Sequence, residues 1–271
     1  MSDERPGVTD DAILDGRLRL YQPERGHRFG HDAILLAAAT PAQPGDRTVE
    51  LGAGVGAASL ALLARVPDIH VTLIDIDARL TALASENIAR NGFAGQAQAV
   101  TLDVGGSDHF FDEAGLKAGA FDQALMNPPF NAPSLQASPD HARRAAHAAS
   151  ADTLHIWLRQ AARLLRPSGR MTLIWRAEDR EKVVQELAVA FGAITILPVC
   201  PSPGKPPIRI LVNARKAERE TLRVLPPLTL ADQDKRPSPA AEAVLRAGKP
   251  LPISSDAAAA AQPSMTDARK P

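Results

Sequence analysis

Short runs rich in Val, Ile and Leu alternate along this chain with longer stretches of helical spacing. "RTVELGAG" (47–54), "HVTLIDID" (70–77), "AQAVTLDV" (97–104), "FDQALMN" (121–127) and "GRMTLIWR" (169–176) read as five short strands. Most carry apolar residues at consecutive positions, as strands buried on both faces do. "AASLALLARV", "ARLTALASENIARNG", "ADTLHIWLRQAARLLRPSG" and "AEDREKVVQELAVAFG" fill the gaps as helices, with Gly92, Gly169 and Gly192 expected as their C-terminal stops. Two last apolar runs, "AITILPVC" and "IRILVNARK", are joined only by "PSPGKPP". A parallel crossover needs about a dozen residues or more, so this pair is expected to be antiparallel. The pattern predicts an α/β fold, a mostly parallel sheet with helices on both faces and an antiparallel last strand.

The ends look different. Residues 1–10 and the Pro/Ala-rich stretch 226–271 carry too little bulky apolar surface to offset ordering entropy, and both are expected to be disordered. Between them, 11–225 forms one domain. The 271 residues carry 31 Lys and Arg against 31 Asp and Glu, so no global field draws polyanions and any such site must be local. A single cysteine, Cys200, excludes an intrachain disulfide and a cysteine-rich zinc site. The polar N-terminus has no apolar h-region, and no run approaches the roughly 18 apolar residues of a membrane span. A cytoplasmic protein with no membrane contact is expected.

Composition leaves the chemistry open, and the loops narrow it. "VELGAGVGA" closes the first strand and opens a helix, so its backbone N–H groups face a ligand that approaches closely. The glycines alone do not choose between a dinucleotide and S-adenosylmethionine. Glu50 favours the latter, since a carboxylate there can hold an ammonium group directly or through water and would repel a pyrophosphate. Gly52 and Gly54 provide the close approach, Asp75 closes the second strand where ribose hydroxyls are taken up, and Asp77 suits a helix cap. Asp103, closing the third, is placed to accept from an adenine amine.

"NPPF" ends the fourth strand, which in a doubly wound sheet lies beside the first and points at the same crevice. Pro128 and Pro129 have no N–H and stiffen the residue before each. The corner therefore offers the Asn127 side-chain oxygen and the Pro128 carbonyl as acceptors, with Phe130 as a ring on which a flat substrate stacks. Such a corner suits a conjugated NH2 group.

At these residues the chain resembles the class I S-adenosylmethionine-dependent methyltransferases, and "NPPF" is similar to the [DNS]-P-P-[YFW] tetrapeptide of their amino-methylating branch. "TDDAILDGRLRLYQPERGHRFGHDAILLAAA", "IARNGF" and "LLRPSGRMTLIWR" further resemble bacterial proteins grouped with the tRNA1(Val) adenosine-37 N6-methyltransferase. The resemblance implies a Rossmann-like sheet of seven strands and a segment, 11–46, lying over the cofactor and substrate. It also implies cofactor contacts at Glu50, Gly52, Gly54, Asp75 and Asp103, and catalysis at Asn127, Pro128, Pro129 and Phe130. The implied activity is N-methylation of an exocyclic amine, with adenine N6 in tRNA first. A protein glutamine amide, guanine N2 in rRNA and a non-catalytic cofactor-binding module remain as alternatives.

Arg143 and Arg144, downstream of the corner, are candidates for substrate phosphate, and Lys205, Arg209, Arg215 and Lys216 for an extension of that patch. Arg28, Phe29 and Asp32 belong to the N-terminal signature without an assigned contact. His27 and His31 are four apart, but the glycines around them argue against a helix and no metal is expected.

Overall fold

The computed structural model describes residues 7–25, 28–129, 139–219 and 222–253, the stretch 139–151 through its helical backbone. The chain opens on an antiparallel hairpin, β1 (Val8–Ile13) and β2 (Leu18–Pro23), followed by α1 (His31–Ala39). Then come β3 (Arg47–Leu51), α2 (Ala57–Leu63), β4 (His70–Asp75), α3 (Ala78–Arg90), β5 (Ala97–Thr101) and α4 (Asp108–Glu113). Next are β6 (Phe121–Met126), α5 (Pro139–Leu164), β7 (Leu165–Arg176) and α6 (Arg180–Leu187). β8 (Phe191–Cys200), β9 (Arg209–Lys216), β10 (Arg223–Val224), β11 (Leu228–Thr229) and α7 (Pro239–Leu245) complete it.

Seven strands lie in the order β5-β4-β3-β6-β7-β9-β8, and only β9 runs against its neighbours. The five expected parallel strands and the terminal antiparallel pair are all present. β10 and β11 add to the outer edge of β8 in parallel. Strand pleating divides the core in two, because successive side chains point to opposite faces. Val49, Leu51, Ala124 and Met126 join the layer under α4, α5 and α6, while Leu73 and Leu125 join the layer under α1, α2 and α3. Both faces are covered, which accounts for the consecutive apolar positions in the strands.

Several expectations are corrected. Gly92, at φ 79°, follows the end of α3 as expected. Gly169 and Gly192 instead lie inside β7 and β8, because α5 ends at Leu164 and α6 at Leu187. Disorder over 1–10 does not hold from Val8 onward, since β1 pairs along its length with β2. Nor is 226–253 disordered: Leu228 of β11, Ala241 and Val244 of α7, and Ile253 beyond it are buried. The physical reason is local. Leu225, Leu228, Leu230, Val244, Leu245, Leu251 and Ile253 are a sparse apolar set that the bulk Ala/Pro composition hides, and they pack on the layer of α1. Ser238 caps α7 by accepting from the Ala241 N–H at 3.0 Å, and Leu251 N–H donates to the Ala38 carbonyl at 2.8 Å.

The hairpin is held by α3. Asn87 accepts from Tyr21 N–H at 2.7 Å and donates to the Tyr21 carbonyl at 2.9 Å, and Asn91 makes the same pair of bonds to Arg19. Residues four apart share a helix face, so the two amides stand in for a neighbouring strand along β2. Asn87 also donates to the Val55 carbonyl, tying the hairpin to the loop after β3.

Candidate active site

β3 pairs with both β4 and β6, so the sheet's winding reverses at β3 and the loops after these strands splay apart there. In the loop after β3, Gly52, Gly54 and Gly56 have φ of 69°, 55° and 87°. A side chain at Gly56 would stand 2.7 Å from Leu73 Cδ2, so the turn into α2 closes only on glycine. At Gly54 the corresponding space is open, a cradle at the sheet's rim.

The acidic residues converge on this rim by different means. Asp75, at the end of β4, accepts from Gly54 N–H at 2.7 Å and from Asp77 N–H at 2.9 Å, so it shapes the glycine loop at the end of its strand. Asp77 is the cap of α3, accepting from Arg79 N–H, and the Arg79 guanidinium holds its carboxyl down at about 2. Asp103 is exposed beyond β5, with Oδ1 accepting from Gly105 N–H at 2.8 Å. Glu50 is only 3% exposed, and its Oε2 accepts from both the backbone N–H and the hydroxyl of Ser59 on α2. Burial pushes its carboxyl up to about 8, opposed by the Ser59 hydrogen bonds and aided by the nearby Asp75 charge.

Two residues at the rim escape a reading of the sequence. Ile76 is 67% exposed between Asp75 and Asp77, an apolar surface at the crevice against which a flat ring can lie. Ser59 is the one polar residue of "AASLALL", and its signal was a hydroxyl on an otherwise apolar, wholly buried helix.

β6 ends at Met126 and runs directly into the corner of Asn127, Pro128 and Pro129. Pro128 is buried and Pro129 exposed, and the side-chain oxygen of Asn127 is buried with no hydrogen-bond partner among the described residues. A buried acceptor left unmatched costs about 1–3 kcal/mol, and a bound donor removes that cost. Phe130 and the side chains of Arg143 and Arg144 lie outside the described residues, as does His27. Arg28 is bonded to Asp11, Thr9 and the Pro23 carbonyl, and Asp32 to Arg209, so both lock the N-terminal segment down. Lys205, Arg209, Arg215 and Lys216 do not make one patch: Arg209 opens β9 at the crevice rim, while Arg215 and Lys216 close it at the opposite edge of the sheet. Among the described residues there is no group of three or more metal-ligating side chains, and no helix long and apolar enough to cross a membrane.

A mostly parallel sheet with one reversed strand, a glycine loop and three strand-end carboxylates beside a proline corner define a class I S-adenosylmethionine-dependent methyltransferase. The open cradle at Gly54, flanked by Asp75 and Ile76, fits that cofactor. The chain belongs to the methyltransferase small domain family, whose model matches residues 28–198. It is 31% identical over 187 residues to the tRNA1(Val) (adenine(37)-N6)-methyltransferase of Parabacteroides distasonis, covering 69% of this chain and 76% of that one. The protein of the same description from Porphyromonas gingivalis is 30% identical over 214 residues, with 77% and 82% covered. Among solved structures, a protein described as a predicted O-methyltransferase from Agrobacterium tumefaciens superposes with a TM-score of 0.69 at 24% identity, over 81% of this chain and 98% of that one. That likeness speaks to the fold alone.

Proposed function

We propose that this methyltransferase acts on an exocyclic NH2 group, and that its substrate is adenine N6 in tRNA. The observation that carries the first part is the side-chain oxygen of Asn127, buried with no hydrogen-bond partner among the described residues, beside two residues that have no N–H to give. A conjugated NH2 is a weak nucleophile because its lone pair is delocalised. Hydrogen bonds from its two hydrogens to the Asn127 oxygen and the Pro128 carbonyl let the nitrogen pyramidalise and aim its lone pair into the crevice. Bound S-adenosylmethionine would supply a sulfonium methyl, whose bond to sulfur would break as the N–C bond forms. The methylated nitrogen is then cationic and releases one proton to water, so the corner needs no strong base. The tRNA target is supported by the description of the relatives above, at about 30% identity.

The test is to offer methyl-labelled S-adenosylmethionine to undermodified tRNA, to rRNA and to soluble protein, then to locate the label by mass spectrometry. N6-methyladenosine in tRNA is the expected product. Label in N5-methylglutamine or in N2-methylguanosine would keep the acceptor corner and overturn the substrate. In the same assay Asn127→Ala should slow transfer by about 10²-fold or more, the scale of removing one oriented polar group, with cofactor affinity nearly unchanged.

A further inference from the structure

Helix α5 leaves the segment after the proline corner and passes behind the crevice on the α4–α6 face of the sheet. Two consecutive residues near its middle reach two different loops of the site. Ile156 Cγ2 stands 3.7 Å from where a side chain on Gly105 would begin, next to Asp103. Trp157 presents the six-membered edge of its indole to Gly52. A Cβ there would clash with Cη2, and would stand 2.9 Å from Cζ3 and 3.4 Å from Cζ2. The ring therefore fills the space that the missing side chain of the first glycine leaves, against a backbone already held at φ 69°. Leu154, Leu158 and Ala161 of the same helix are buried in the core, whereas Trp157 is only partly buried. Its position is at the margin where core gives way to crevice.

We propose that Trp157 is a wall of the cofactor cleft, positioning the amino-acid end of S-adenosylmethionine at Gly52. A ligand that approaches the glycine backbone at Gly52 meets the indole, and a large rigid aromatic sets that approach with little loss of conformational freedom. The proposal depends on the cofactor and not on which amine is methylated, so it stands or falls separately from the tRNA reading.

S-adenosylhomocysteine titrated into the full chain tests it, with affinity by calorimetry and tryptophan emission read in parallel. Trp157→Leu should weaken binding about tenfold or more and Trp157→Phe should restore part of the loss. Emission should respond to ligand in the wild type and in Trp175→Phe, and the response should vanish in Trp157→Phe. If Trp157→Leu fails to fold, the Trp175→Phe chain still decides, because Trp157 is then the remaining emitter. Unchanged affinity in a folded Trp157→Leu, or an emission response that survives Trp157→Phe or is absent from Trp175→Phe, would overturn the proposal.

Discussion

Glu50 shows how one buried side chain ties stability to the state of the site. Its carboxyl sits near 8 in the folded chain against an ordinary value of 4.5. Between those values the folded state binds more protons than the unfolded one, so stability falls as pH rises from about 4.5 toward about 8. Glu50→Gln keeps an oxygen to accept from Ser59 and removes the titration. Its melting temperature should therefore decline less than the wild type's between pH 5 and pH 8, while its cofactor affinity drops because an amide cannot ionise to meet the cofactor's ammonium group. Parallel slopes in a pH series of thermal melts would show that Glu50 is not buried as described. The presence of a carboxylate two residues before the first glycine was legible from spacing; its bond to Ser59 was not, because the partner comes from a helix whose apolar pattern says nothing about where a single hydroxyl points. Asp75 carries a similar lesson. Its position at a strand end is readable, but its bond to Gly54 depends on the loop's left-handed glycines closing back over the strand.

Elements are legible in a sequence where one periodicity dominates, and hidden where an edge is closed by something other than a strand. The parallel strands follow from consecutive apolar positions. The N-terminal hairpin does not, since one side of β2 is satisfied by Asn87 and Asn91 rather than by a third strand, and the burial pattern along β1 is shallow. This makes a differential prediction. Asn87 is fully buried, and Asn87→Ala removes the hydrogen bonds it makes with the Tyr21 N–H, the Tyr21 carbonyl and the Val55 carbonyl. The loss should be about 2–3 kcal/mol, at the upper end for an unmatched buried group. Because Val55 belongs to the glycine loop, cofactor affinity should fall as well. Asn91→Ala acts at a more exposed position, on Arg19, and should cost under about 1 kcal/mol without moving cofactor affinity. Urea denaturation with calorimetry of S-adenosylhomocysteine binding checks both. Equal effects of the two substitutions on binding would break the proposed link from hairpin to loop.

At the scale of the whole molecule, the C-terminal segment decides how far the core extends. Its Ala, Pro and charge content predicts a solvated tail, yet β10 and β11 extend the sheet along β8, and α7 packs against α1. Arg246 then reaches Asp15 in the hairpin turn, so the two ends of the described chain meet over α1. Composition misled because ordering depends on where a few side chains land, not on their average. Val244 makes the difference measurable. It is 3% exposed in α7, and Val244→Asp would bury an unpaired carboxylate there unless α7 lifts off. Either route is costly: an unpaired buried charge, or the loss of the apolar contacts of Ala241, Val244 and Leu245, amounts to several kcal/mol, about 3 or more. For a chain of this size about 1 kcal/mol shifts the midpoint by roughly 2–4 °C, so a drop of at least about 6 °C is expected. Arg246→Ala removes only two exposed ion pairs, to Asp15 and to Glu242, and should shift the midpoint by no more than about 2 °C. A solvated tail would tolerate Val244→Asp as easily as Arg246→Ala, so indistinguishable melts for the two variants would return the segment to the disordered tail that its composition suggests.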